Sequence, residues 1–175
     1  MSATENPPAE GRVPLVGDAY AEIERFIFVE ARLADESRYA EWEALVDDDM
    51  FYWVPRGEGD WDRDAHVSIT ADNRNRLANR LKQLRTGTRH SQVPPSPMRR
   101  IVSNVEACRE ANGEYSAGCN FVLYELRVQS TGQLQVWPGR AEYRLRRKDG
   151  TLKMFLKKVM LVNGDTPLTS LSFIL

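Results

Sequence analysis

Residues 98–128 read MRRIVSNVEACREANGEYSAGCNFVLYELRV. The two arms of this stretch, Arg100 to Ala111 and Glu114 to Val128, carry β-branched and aromatic residues that suit a half-buried pleated surface. Between them stands Asn112-Gly113, a strong hairpin signal, because both residues tolerate the positive φ angles of a tight turn. The pattern recurs downstream, where Leu134 to Lys148 and Thr151 to Val162 flank Asp149-Gly150. A two-residue loop there places Tyr143 opposite Leu156, and Leu145 opposite Met154, on one apolar surface. The reverse surface pairs Glu142 with Lys157 and Arg146 with Lys153. Opposed like charges disfavour pairing, so that basic side is expected to meet water or an acidic partner. Leu168 to Leu175 is a candidate last strand whose aliphatic end should dock rather than dangle.

Working outward to the N-terminal half, the apolar period becomes helical. Tyr20, Ile23, Phe26, Ile27, Leu33 and Ala34 share one stripe after Asp18, a capable N-cap. Glu30 falls on that stripe, and a buried carboxylate without a partner is costly, so it lies at the edge or meets a cation. Ser37 is expected to cap a second short helix that buries Tyr39, Trp42, Leu45 and Val46. The acidic triplet Asp47, Asp48, Asp49 then ends it. Met50 to Val54 reads as an aromatic strand stopped by Pro55 and Gly57. Arg56 to Asp64 is a charged loop, and Ala65 to Ile69 a short strand. Thr70 or Asp72 opens a third helix carrying Leu77, Ala78, Leu81 and Leu84, with Gly87 as its left-handed terminator. Pro94, Pro95 and Pro97 stiffen the next connection.

Residues 1–17 hold Pro7, Pro8 and Pro14 without an apolar period. They read as a flexible N-terminal arm, or one ordered only against a partner. Residues 18–175 then form a single domain. Helices first and a run of antiparallel strands afterwards make an α+β domain, with the helices filling the concave face of a curved antiparallel sheet.

Composition narrows the function. The 175 residues suffice for one core, since a chain near this length buries roughly 70% of the surface its unfolded form exposes. Twenty-four basic against twenty-five acidic residues give a net charge of −1, which argues against the dense positive field of generic nucleic-acid binding. No apolar run approaches the ~18 residues of a membrane span. The N-terminus is acidic and proline-bearing, unlike a signal peptide. A cytoplasmic protein is expected.

Two cysteines argue against a disulfide framework. Cys108 and Cys119 fall on the two arms of the first hairpin, displaced from direct opposition, and read as free thiols. With only His66 and His90 besides, and no Cys-x-x-Cys, the chain lacks the ligands of an iron–sulfur cluster. Asp62, Asp64 and His66 alternate and could point one way in an extended segment, but the further ligands of a catalytic metal site are missing. A solvated acidic loop is the plainer reading.

No catalytic, cofactor-binding or metal-ligating residue is therefore assigned. Arg74, Arg76, Arg80, Lys82 and Arg85 spread around the third helix and read as a solvated face or a protein contact. Tyr52, Trp53, Tyr124 and Tyr143 default to core packing. Trp61, in the charged loop, and Trp137, before Pro138, are harder to place inside. Tryptophan is enriched at interfaces, so these two, with Arg140, are the interface candidates.

Taken together and in order, several segments resemble the small (β) subunit of bacterial aromatic-ring-hydroxylating dioxygenases. They are FVEARLADE at 28–36, DDDMFYWVPR at 47–56, RLKQLRTG at 80–87, PPSPMRRIVSNV at 94–105, CNFVLYELR at 119–127 and GRAEYRLRR at 139–147. The resemblance spans about residues 18–175. It implies a nuclear-transport-factor-2-like (NTF2-like, cystatin-like) cone and a hexamer of three large α and three small β subunits. The α subunit would carry the Rieske [2Fe-2S] cluster and the mononuclear Fe(II). A reductase, often through a ferredoxin, would deliver electrons from NADH for cis-dihydroxylation of an aromatic substrate. The β subunit would be structural and hold no cofactor.

A stand-alone dehydratase, isomerase or cyclase of the same fold is the alternative. It would use a general base and a tyrosine hydroxyl inside the cone. Asp72, His66, His90, Tyr52 and Tyr124 supply those residue types without forming a recognisable constellation.

Overall fold

The computed structural model describes residues 11–57, 67–86, 94–128, 131–168, 171 and 173–175. In chain order the elements are β1 (Val13–Pro14), α1 (Gly17–Asp35), α2 (Tyr39–Glu43), β2 (Val46–Pro55), β3 (Ser68–Asn73), α3 (Arg74–Arg85), β4 (Met98–Arg109), β5 (Tyr115–Leu126), β6 (Leu134–Lys148) and β7 (Thr151–Leu161). The strands form one sheet in the order β1-β4-β5-β6-β7-β2-β3. Apolar side chains of α1, α2 and α3 pack with the inward residues of β2 and β4–β7 into one core. Helices on one face of a curved sheet is the α+β cone expected. The sheet is mixed, however, because β2 runs parallel to β7. These strands are far apart in sequence, so no tight turn imposes an antiparallel direction on them.

The N-terminal elements form with shifted boundaries. Val16 stands at the N-cap of α1 with no side-chain cap, and Asp18 lies inside the first turn, where its charge suits the helix dipole. Ser37 sits at φ +55° after α1, and Arg38 rather than Ser37 precedes α2. The acidic triplet belongs to β2 instead of closing a helix. Strand β3 takes in Thr70 and Asp72, so α3 starts later, capped by Asn73, whose Oδ1 accepts from the Arg76 amide at 3.0 Å. Gly87 lies outside the described residues. The described part of the N-terminal arm lies along the sheet, with Val13 opposite Arg109 and Pro14 opposite Cys108.

Both hairpins form, and both depart from the simple register. In the first, Gly113 donates to Glu110 O and Glu110 to Glu114 O, each at 2.9 Å. With Gly113 at φ +84°, this is a three-residue loop with a glycine bulge rather than a two-residue turn. Cys108 therefore faces Ser116, and both cysteines are free.

In the second hairpin Asp149 and Gly150 take φ +50° and +77°, as a two-residue I′ turn requires. The expected register holds from Lys148–Thr151 to Leu145–Met154, then breaks between Arg144 and Leu145. Beyond the bulge Tyr143 faces Lys157, not Leu156, and Glu142 faces Lys158, not Lys157. Residues 173–175 dock in the core as expected, with Phe173, Ile174 and Leu175 all buried, but they form no strand.

Candidate functional site

The bulge in β7 carries Lys157 off the basic outer face and into the cone, where it is 0% exposed. Its Nζ donates to Glu30 Oε1 at 2.7 Å. Glu30, also 0% exposed, accepts from Trp42 Nε1 at 2.5 Å and from the Tyr143 hydroxyl at 3.2 Å. The helical stripe thus brings Glu30 to the cation it requires. Burial lowers the Lys157 pKa, and the charge of Glu30 opposes that shift. Burial also raises the Tyr143 pKa well above its ordinary value, with Glu30 adding to the effect. Cys119, beneath this cluster, has its thiol pKa raised by burial.

The last residues of the chain close this interior. Lys157 Nζ also donates to the main-chain oxygen of Leu175. The Leu175 amide donates to the Tyr52 hydroxyl at 3.1 Å, and burial pushes the Tyr52 pKa up to about 12. On the β4 side Asp35 accepts from the Arg100 amide and from its Nε, each at 2.7 Å, while Arg100 Nη2 donates to Ile174 O at 3.1 Å. Burial disfavours the Arg100 guanidinium, but Asp35 and Glu30 outweigh it and the pKa is raised. Acid, base and hydroxyl do converge here. Each is bonded to another part of the protein.

The residues singled out from sequence distribute as follows. Trp137 is 1% exposed, donates to Glu125 Oε2 at 3.1 Å and meets Phe173 edge-on at 5.9 Å. Its inward position on β6 removes it from the surface expected of an interface residue. Arg140 lies on the outer face, bonded to Glu106 Oε2 at 2.8 Å and Asn120 Oδ1 at 3.3 Å. Trp61, Asp62, Asp64, His66 and His90 lie outside the described residues. Among the described residues no group of three or more His, Cys, Asp or Glu side chains could hold a metal ion.

Of the residues named for a stand-alone enzyme, Asp72 pairs with Arg80 at 2.5 Å, Tyr52 is bonded to Leu175, and Tyr124 is on the surface. The basic residues of α3 are largely met within the chain, Arg74 and Arg85 by Glu43 of α2. The basic outer end of the second hairpin meets the acidic triplet of β2. Arg146 reaches Asp49 at 2.9 Å, and Lys148 reaches Asp47 at 2.9 Å and Asp48 at 2.6 Å.

Sequence reasoning missed Lys157. The available signal was Glu30, whose place on an apolar stripe already demanded a cation.

Comparison with known proteins matches residues 29–165 to the family described as ring hydroxylating beta subunit. The chain is 30% identical over 171 residues to the benzene 1,2-dioxygenase subunit beta of Pseudomonas putida, covering 91% of this chain and 90% of the relative. It is 32% identical to the small oxygenase component of the p-cumate 2,3-dioxygenase system of Pseudomonas putida, covering 92% of each. The beta subunit of benzoate 1,2-dioxygenase from Burkholderia mallei superposes with a TM-score of 0.70 at 22% identity, covering 88% of this chain and 96% of that one. An NTF2-like protein with a cystatin-like fold from Novosphingobium aromaticivorans superposes at 0.57 with 16% identity, covering 82% of each, a likeness of fold alone.

Proposed function

From the premise that the chain belongs to the ring hydroxylating beta subunit family, we propose that it is the non-catalytic small subunit of an NADH- and O2-dependent aromatic-ring dioxygenase. Its partner is the large subunit, which carries the Rieske cluster and the mononuclear iron. Three of each form the oxygenase, served by a reductase and, in many such systems, a ferredoxin. The complex adds both atoms of dioxygen to an aromatic ring.

One observation carries the non-catalytic role. Glu30 and Lys157, the acid and base that meet inside the cone, are fully buried and bonded to Trp42, Tyr143 and Leu175. General acid–base catalysis requires a group within hydrogen-bond reach of a substrate proton. Here those positions are filled by the protein. Co-expression with the large subunit tests the reading: the chain should join a complex that contains iron, and should show no turnover when purified alone. Turnover of a small substrate by the isolated, iron-free chain would favour the dehydratase-like alternative.

A further inference from the structure

The outer face of the sheet is divided. Where β4, β5 and β6 reach the end that carries Leu126 and Leu134, its side chains are largely apolar, with Arg99 set opposite Tyr124. Tyr124 faces Val136, Leu126 faces Leu134, and Ile101 faces Val122. Directly opposed residues share a face, and these alternate with the buried Leu123, Glu125 and Trp137. Ile101 is 63% exposed, Leu134 60% and Val162, beside Pro138, 69%. With Tyr124, Leu126 and Val136, each more than a third exposed, they gather six large hydrophobic side chains at this end of the sheet, the kind of exposed patch that marks an interaction site.

This surface continues around the open edge of β4. Strand β1 covers β4 at Cys108 and Arg109, and Leu15 just after it donates to Ala107 O at 2.8 Å; among the described residues no strand pairs with the rest of that edge. At the other end a groove of ≈ 280 Å³ runs between β4 and α1, with Phe28 and Val102 on its apolar wall and Arg32 and Arg99 at its margin. Asp35 is occupied by Arg100 and Glu36 by Arg38. Among the described residues neither Arg32 nor Arg99 forms a salt bridge, though Arg32 acts on Glu41 at longer range, and Arg99 donates to Met98 O at 2.8 Å.

We infer that the apolar outer face of β4–β6, together with the cationic groove at the β4 edge, is the docking surface for the large oxygenase subunit, which meets it with an apolar patch bordered by carboxylates. The inference rests on the subunit reading above and adds the surface and its chemistry. Charge selects this occupant over two copies that meet through this same face. Two such faces brought together set guanidinium against guanidinium, and like charges across an interface are unfavourable.

The test co-expresses the chain with its large subunit and measures how much large subunit it carries through purification. Two double variants are compared with wild type, Arg32→Glu with Arg99→Glu, and Ile101→Asp with Leu134→Asp. Each should lower the co-purified large subunit at least tenfold, and amide exchange in the wild-type complex should slow at residues 98–103 and 122–136. The exchange measurement needs no variant, so misfolding cannot mimic its result. Undiminished co-purification by both variants, or unchanged exchange at those residues, overturns the surface while leaving the subunit reading intact. Self-association of the isolated chain that the aspartates abolish assigns the face to a second copy and also overturns it. If the wild-type chain itself carries no large subunit, the subunit reading fails and takes this inference with it.

Discussion

Lys157 and Glu30 form the ion pair at the centre of the cone. Removing one member of a buried pair leaves a charge with no solvent and no counter-charge, which typically costs ~3–5 kcal/mol. Lys157→Met should destabilise the fold by about that amount, read from the denaturation midpoint. Glu30→Gln added to it should recover most of the loss, because the stranded carboxylate is gone while a side chain remains to bond Trp42 and Tyr143. A double-mutant cycle measures the coupling directly.

Tyr52 sets a pH response. Its pKa is about 12 in the fold against an ordinary 10.0, so above pH 10 the unfolded chain loses the proton first and stability falls as pH rises. Across two pH units this reaches ~3 kcal/mol. Lys157 acts in the opposite sense. Its pKa is lowered, so the native state loses its proton first and stability rises with pH up to the ordinary lysine range. Urea titrations at stepped pH should show the fall above pH 10 in wild type and a flatter profile in Tyr52→Phe. Glu30 announced its need of a cation in the sequence. Which cation answered depended on a bulge that no turn residue marks.

At the scale of elements, local chemistry was legible wherever a turn or a period specified it. Asp149-Gly150 closes the second hairpin as read, and the pairs nearest the turn keep their register. Legibility ended at the bulge between Arg144 and Leu145, which moves later residues of β7 by one place. Because side chains alternate faces, a shift of one reverses in from out, and the expected solvent-facing lysine becomes the interior one. Asn112-Gly113 was read correctly as a turn and wrongly as a two-residue loop, because Glu110 and Glu114 close a larger one. The basic side of the hairpin, expected to meet water or an acidic partner, meets the acidic triplet of β2.

Two substitutions test these elements. Asn73→Ala removes the cap of α3 and should cost ~1 kcal/mol. Gly139→Ala places a Cβ 2.5 Å from Met160 O, so β6 and β7 must part, and a loss of ~1–3 kcal/mol is expected. Thermal unfolding monitored by circular dichroism checks both.

For the whole molecule, helices packed on a curved sheet were foreseeable from helices followed by strands, and the cone and the family from the order of several weak motifs. The closing of the interior was not. It depends on Ile174 and Leu175 reaching Arg100 and Tyr52, each more than seventy positions away, and nothing in their own composition says where an apolar tail will dock. Trp137 shows the reverse limit. Its place before Pro138 suggested the surface, yet Glu125 from the neighbouring strand receives its indole N–H inside the core.

The central claim is that this interior holds the shape of a subunit and performs no step of the reaction. Its most direct test is substrate-dependent oxygen uptake, per assembled complex, by an oxygenase whose small subunit carries Glu30→Gln with Lys157→Met. The account predicts turnover within about twofold of wild type. A loss of 100-fold or more with assembly intact, the scale of a missing general acid or base, would contradict it.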